Sequence, residues 1–371
     1  MAVLRNGYTT GACVAAGVKA ALLYNLGRPL NSVEITALDG TKLNIPIQAI
    51  KKYDDTVCAE VIKFSGDDPD ITNGVSIFTS VKMLKNGSGI SYVAGEGVGT
   101  VTKAGLAVKV GEPAINPGPR KLILAVVKEL LGDDFSLKIT IAIPKGKELA
   151  KKTLNPVLGI TGGISIIGTT GVLRPMSEEA FKNSLVPQID VAKSTGFEDL
   201  IFVPGKIGER IALKWHLPAA AMIQTSNFIG FMLENAAKRH IKNILLFGHI
   251  GKLSKVAAGV FYTHNRIADA RLETLAAYGA ANGLDSQCVQ AILNANTAED
   301  ALAILKKANK LGIVCNTIAK RASIRAERYV FGEIGIGTVM VDLEGNLLGL
   351  DDKAREIGDK YKWKIPSIAI K

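Results

Sequence analysis

The chain has 371 residues, of which 47% are hydrophobic and 21% charged, so it is long enough for two domains with cores and is no disordered polymer. Basic residues number 45 against 34 acidic ones, a net charge of +11, with 17 against 14 through residue 150 and 28 against 20 beyond it. The surplus therefore sits in the second part and favours an anionic partner. Only 6% of residues are aromatic and no run of five basic residues occurs, which ranks nucleic acid below a small polyanion.

In chain order, Thr9 or Thr10 caps an Ala-rich helix over Ala12 to Leu26. Strands are expected at 32–37, 42–50, 56–63, 76–84, 88–93 and 137–143, with a helix over 121–131, an α+β pattern. Residues 151–185 form a Gly/Thr-rich bridge, too apolar for a free linker, read as buried strands and close turns. From Asp199 the rhythm turns to strand then helix: 200–203 with 206–215, 220–224 with 227–239, and 243–247 with 251–259. Helices at 267–281, 286–294, 298–310 and 314–328 follow, and a strand at 337–342 closes the unit. The expected architecture is an N-terminal α+β domain over 1–185, then a Rossmann-like three-layer α/β sandwich with a mostly parallel sheet over 186–371.

The glycine-rich strings come first among the motifs. GEGVGT, Gly95 to Thr100, does not open onto a helix, so it reads as a hairpin turn rather than a nucleotide loop, and GEIGIGT at 332–338 fails in the same way. GHIGKLSK, Gly248 to Lys255, follows a strand and opens a helix. Its amides and Lys252 make an anion-binding end, the bland alternative being a capped helix with solvent lysines. Residues 238–271 carry seven basic residues against Asp269 alone, which favours a carboxylate-rich ligand. Ser226 and Asn227 hold the equivalent place after the preceding strand, as ligand contacts or as a helix N-cap.

GDDPD, Gly66 to Asp70, is a turn, a hard-cation site or a general base, with the turn as default. Arg120, in GEPAINPGPR, clamps a carboxylate or packs a helix start, and Arg174 has the same two readings. THNRIADAR brings His264 near Asp269 and Arg271, and His249 lies in the same basic segment. There is no G-x-S-x-G elbow and no Cys/His constellation, so hydrolase chemistry has no support. The four histidines lack zinc spacing and no second acidic cluster completes a metal shell.

The four cysteines form no C-x-x-C pair and the first residues hold no signal-peptide core, so a reducing cytoplasm is expected. The charge-poor stretches 153–173 and 215–233 are broken by glycine, proline and polar residues, and neither reads as a membrane span.

Taken together and in this order, GYTTGACVAAGVKAA, GDDPDITNG, GEGVGTVTKAGL, GEPAINPGPR, NPVLGITGGISIIGTTGVLRPMS, TSNFIGFML, GHIGKLSKVAAGVFYTH and ADAR resemble the CbiD family, the cobalt-precorrin-5B (C-1)-methyltransferases of anaerobic cobalamin biosynthesis. The resemblance spans nearly the whole chain. It implies methyl transfer from S-adenosylmethionine to C-1 of an anionic cobalt-corrinoid precursor, giving cobalt-precorrin-6A. It implies cobalt carried by the substrate and none bound by the protein, and other enzymes of the pathway as candidate partners. Asn73 stands where the resemblance leads one to expect histidine, and Gly118 where a bulkier residue is common.

On this reading S-adenosylmethionine lies at the C-terminal sheet edge near Gly205, Ser226, Asn227, Gly248 and Gly251. The macrocycle is held between the domains by Arg120, Arg174, Lys252 and Lys255, and Asp70, His249 or His264 manages protons. The family supplies no catalytic assignment, and the sequence leaves the oligomeric state open. Two rivals remain: a nucleotide-using α/β enzyme with GHIGK as phosphate cradle, and a basic RNA-binding module.

Overall fold

The Oγ1 of Thr9 accepts a hydrogen bond from the Ala12 N–H and starts the helix Thr10–Asn25, slightly earlier than expected. Ala12, Cys13, Val14, Ala15, Ala16 and Val18 are fully buried, so the helix runs inside a core rather than along its surface. Small residues let it approach the sheet: a Cβ on Gly17 would lie 2.8 Å from the Thr79 hydroxyl. The computed structural model describes residues 4–363 and 365, and the chain divides into two units, Met1–Glu178 and Glu179–Lys371.

The first unit holds a five-stranded sheet in the order Ala49–Tyr53, Thr56–Ile62, Ser76–Met83, Ser136–Ala142, Gly89–Ala94. All neighbours are antiparallel except Ser136–Ala142 and Gly89–Ala94, which run parallel. Alternation sets the buried face: Val57, Ala59 and Val61, then Ile77 and Val81, then Leu137, Ile139 and Ile141 are all completely buried. The helices Thr10–Asn25 and Pro117–Leu131 pack against each other, and their apolar residues join this core. Burying one such aliphatic side chain contributes roughly 1.5–3 kcal/mol.

Several expectations need correction. GEGVGT is not a hairpin turn: Gly97–Val98 pairs parallel with Gly163–Ile164, and Thr100–Val101 pairs antiparallel with Ile160–Thr161. Its glycines serve chain crossing, since a Cβ on Gly97 would lie 1.9 Å from the Ile143 carbonyl oxygen and one on Gly163 would lie 1.9 Å from that of Gly97. Gly118 has a similar reason, with Gly168 O 2.4 Å from its would-be Cβ. The 151–185 bridge is not all strand and turn, because Glu178–Leu185 is a helix.

In the second unit Met222–Gln224, Asp199–Val203, Asn243–His249 and Gly335–Val341 lie side by side and parallel, and Leu347–Leu350 adds an antiparallel edge. Asp199–Val203 comes first in the chain yet second in the sheet, so the order reverses between it and Asn243–His249. That gap is the topological switch point, where open α/β sheets bind ligands outside the strand carboxyl ends. Ile201, Val203, Leu245, Phe247, Val339 and Val341 form one core with residues of the helices Lys206–Lys214 and Asp352–Lys360. On the other face Thr338 bonds Ser323 of the helix Leu311–Tyr329 at 2.8 Å.

The sequence reading stopped at the 337–342 strand and missed both Leu347–Leu350 and the helix capped by Asp351. The GEIGIGT segment enters a strand because a bare Gly337 lets the following helix close in: a Cβ there would lie 2.4 Å from the Ala354 nitrogen. The expected 267–281 helix begins only at Arg271. Among the described residues no helix is long and apolar enough to cross a membrane.

Candidate active site

Three segments meet at the carboxyl ends of the parallel strands: the loops Pro204–Gly205 and Thr225–Phe228, and Gly248–His249, the last two residues of their strand. Each leads into a helix, Lys206–Lys214, Ile229–Ala237 and Ile250–Ala257 respectively. The GHIGKLSK segment thus opens a helix as expected, with His249 as N-cap: its Nδ1 accepts from the Gly251 N–H at 3.1 Å. That acceptor role requires the proton of a neutral ring to sit on Nε2, which points at Glu299 Oε1 2.6 Å away. Both ring nitrogens of His249 are engaged.

Lys252 does not reach outward as a free cation. Its ammonium donates to the Pro204 carbonyl at 2.9 Å and to Asn227 Oδ1 at 2.7 Å, tying the three segments together across the switch point. Burial, and secondarily the Lys255 charge, hold this amine below the usual lysine range. The helix N-cap alternative for Ser226 and Asn227 also falls, because Ile229–Ala237 has no side-chain cap and Asn227 serves Lys252 instead. Ser226 takes a left-handed backbone, φ +53°, where the chain turns out of the sheet.

Lys255 corrects the expectation more strongly. Its side chain is 1% exposed, and Nζ donates to Thr263 O at 3.3 Å, Asn265 Oδ1 at 2.6 Å and Ala268 O at 2.9 Å. It is an internal tie for the 263–269 loop rather than a solvent lysine. That loop in turn docks on the second one: Thr263 N–H donates to Asn227 O, Gly230 N–H donates to Phe261 O, and Tyr262 stacks on Phe228 with centroids 5.0 Å apart. The separate sequence strings TSNF, GHIGKLSK and FYTH thus become one edge structure.

Two further groups complete it. His264 Nδ1 accepts from the Arg266 N–H, while its Nε2 has no hydrogen-bond partner among the described residues. Arg271 pairs in two-pronged fashion with Asp269, at 2.8 and 2.6 Å, and its Cδ lies 3.8 Å from where a Cβ on Gly251 would be. A Cβ on Gly248 would press on Pro204 at 2.9 Å, whereas Gly205 has open space around it.

Sequence reasoning missed the hydroxyls. Six buried side-chain polar atoms in the described residues lack a hydrogen-bond partner, and three are Thr225 Oγ1, Ser254 Oγ and Thr263 Oγ1, all on the segments of this edge. A buried hydroxyl without a partner costs about 1–3 kcal/mol, so such a concentration marks a place where a ligand or water is expected. Only the burial pattern reveals it, since Thr and Ser in these strings look like ordinary turn residues.

The first unit holds the remaining candidates, each bonded internally. Asp70 Oδ2 meets the Lys63 ammonium, itself 1% exposed, at 2.7 Å, and Oδ1 accepts from both the N–H and hydroxyl of Thr72. Burial raises the cost of ionising Asp70 most, but Lys63 and the two Thr72 hydrogen bonds together outweigh it and leave the carboxyl below the usual aspartate range. A base with both oxygens occupied and a lowered pKa is poorly suited to proton transfer. Asp67 pairs with Arg5 and Asp68 accepts from the Met176 N–H, so GDDPD spreads its carboxylates over three partners rather than one cation. Asn73 accepts from the Ser65 N–H, a structural duty.

Arg120 donates to Ile115 O and Glu112 and lies over the Tyr92 ring, the helix-start packing foreseen as the bland alternative. Arg174 is 70% exposed and among the described residues meets a single carboxylate, that of Asp39, at 3.4 Å. A concavity of about 630 Å³ opens beside Gly95–Thr100, with Glu96, Lys147 and Glu148 around it. Among the described residues no three His, Cys, Asp or Glu side chains gather as a metal site.

Fold and edge together define a mixed α+β protein whose second unit carries a loop cluster at a sheet switch point, the place where open α/β sheets bind ligands. Residues 1–175 match the family model described as CbiD, and residues 262–352 match the one described as CbiD, C-terminal domain. A protein of Moorella thermoacetica named cobalt-precorrin-5B C(1)-methyltransferase is 47% identical, covering 95% of this chain and 97% of that protein. One of the same name from Methanocaldococcus jannaschii is 50% identical, covering 92% and 95%. A crystal structure of the cobalamin biosynthesis protein (cbiD) from Archaeoglobus fulgidus is 27% identical and covers 73% of this chain and 84% of that one, with a TM-score of 0.38. The chain belongs to the CbiD family. Neither the nucleotide-using enzyme nor the RNA-binding module finds support among these relatives.

Proposed function

We propose that this chain transfers a methyl group from S-adenosylmethionine to ring carbon C-1 of cobalt-precorrin-5B, giving cobalt-precorrin-6A. The observation that carries this is near full-length similarity to proteins named for that reaction. An α+β domain over 1–185 and a Rossmann-like α/β domain over 186–371 carry the activity on this reading. The cobalt belongs to the substrate, and the cytoplasm is its setting, which suits four cysteines without a disulfide.

The donor supplies an electrophilic methyl carbon on a sulfonium centre, so the protein is asked mainly for alignment, water exclusion and electrostatic support. Gly205, Ser226, Asn227, Gly248 and Gly251 frame the donor site, and the unpaired hydroxyls of Thr225 and Thr263 are hydrogen-bonding groups fit for a polar ligand there. Lys252 keeps the three segments in register. His264, with a free ring nitrogen, replaces Asp70 and His249 as the group to manage a proton. Arg174 remains available to a substrate carboxylate.

Thr225→Val and Thr263→Val test the donor site. Each removes an unpaired buried hydroxyl at constant shape, so the free protein should be as stable as before or more so, while donor affinity by calorimetry falls about tenfold. Unchanged affinity in both variants would remove the donor from this edge.

A further inference from the structure

We propose that Arg321 and Arg325 form an anion-binding subsite that takes carboxylate groups of the macrocyclic substrate. The identity of the anion rests on the function proposed above; the site itself rests on the following geometry. Both arginines lie on the helix Leu311–Tyr329, one turn apart, so their side chains are neighbours on one helix face.

Among the described residues five arginines are half-buried: Arg120, Arg239, Arg271, Arg321 and Arg325. The first three each hold a carboxylate, Arg120 that of Glu112, Arg239 that of Asp190 and Arg271 that of Asp269. Arg321 and Arg325 hold none, and the Nε of each is buried without a hydrogen-bond partner. Two carboxylates beside this stretch have other partners: Glu327 accepts from the Ile336 N–H, and Glu234 from the Tyr329 hydroxyl. Two like charges placed together, with desolvated donors left unmade, cost stability in the free protein. A planar anion removes both costs at once, and a carboxylate matches the guanidinium fork in two-pronged fashion.

The pair also adjoins the candidate site. Arg325 Nη1 lies 3.6 Å from the position a Cβ would take on Gly259, whose φ is +91°. Gly259 leads directly into Phe261–His264, and Tyr329, one turn beyond Arg325, stacks on Phe261 with centroids 4.1 Å apart. Five of the six unpartnered buried polar atoms thus belong to this helix or to the edge segments beside it, the exception being Thr79 Oγ1. The sequence reading saw here only a helix.

The test uses the full chain as wild type, R321Q, R325Q and the double variants R321Q/R325Q and R321K/R325K. Calorimetry with tricarballylate, a small tricarboxylate, should show binding to wild type and loss in R321Q/R325Q. With saturating donor, each single glutamine should raise KM for cobalt-precorrin-5B about tenfold while kcat stays within about twofold, the mark of lost ground-state binding. The lysine pair keeps charge without the fork and should recover less than half of the loss. Melting temperatures should hold or rise, because no internal partner is removed.

Tricarballylate binding that survives R321Q/R325Q, or binding of inorganic phosphate without tricarballylate, would overturn the carboxylate subsite. A wild type that methylates with variants unchanged in KM would overturn it and leave the function standing. A wild type that binds tricarballylate through these arginines yet methylates nothing would uphold the subsite and remove the function.

Discussion

Replacing Lys255 by methionine keeps the length of the stem and removes only the ammonium. In the native chain that group donates to Thr263 O, Asn265 Oδ1 and Ala268 O, and lies 3.9 Å from Asp269. Asn265 is exposed and can turn to water, so the loss falls on the two carbonyls. Leaving two such acceptors without a donor costs about 1–3 kcal/mol each. Against this stands relief from burying a charge, which, chiefly through desolvation, already holds the amine below the usual lysine range. The balance predicts a destabilisation of about 2–4 kcal/mol in urea unfolding. The 263–269 loop should also open locally, speeding tryptic cleavage after Arg266 well before global unfolding. A stability change below about 0.5 kcal/mol with unchanged cleavage would refute the internal role and return Lys255 to the solvent.

Other consequences concern the first unit and the thiols. Lys63→Met leaves the Asp70 carboxylate without its buried partner and should cost about 3–5 kcal/mol, with Asp70→Asn in the same chain recovering part of it in a double-mutant cycle. Because the folded Asp70 carboxyl titrates below its ordinary 3.8, its contribution is complete above that pH and fades as pH falls through the lower folded value. The stability gap between wild type and Asp70→Asn should therefore narrow below about pH 4; a gap that widens there contradicts the assignment. Gly163→Ala places a methyl group on the Gly97 carbonyl and should cost at least about 2 kcal/mol, whereas a neutral effect would mean the crossing is loose. Burial pushes the Cys13 and Cys315 thiols up to about 12. Iodoacetamide at neutral pH should spare both until the chain unfolds, and mass mapping that finds either labelled early would contradict the core as described.

The strand-helix rhythm after Asp199 was legible because period is a local property, and the helix starts at Ser286 and Ala298 were legible because Asp285 and Thr297 cap them, whereas the helices Ile229–Ala237 and Leu311–Tyr329, with no side-chain cap, began elsewhere than expected. Legible too was the convergence of Ser226, Gly248 and His249, since each lies at the carboxyl end of a strand that had to be parallel to its neighbours. The roles of Lys252 and Lys255 were not, because what they bind, Pro204 O and the carbonyls of the 263–269 loop, depends on chain reversals with no residue signature. Asp70 was singled out for its charge, but its partner Lys63 stands in an ordinary strand ending and only burial makes it exceptional. Arg321 and Arg325 escaped notice for the opposite reason: an arginine on a helix reads as a solvated face until the missing counter-charge is seen in three dimensions.

The destination of the methyl group tests the proposed function most directly. Anaerobic incubation of the purified chain with cobalt-precorrin-5B and S-adenosylmethionine carrying a carbon-13 methyl, followed by NMR of the isolated product, should give one enriched methyl signal correlated with C-1. Enrichment at another ring carbon, or none from protein that binds both molecules, would contradict it.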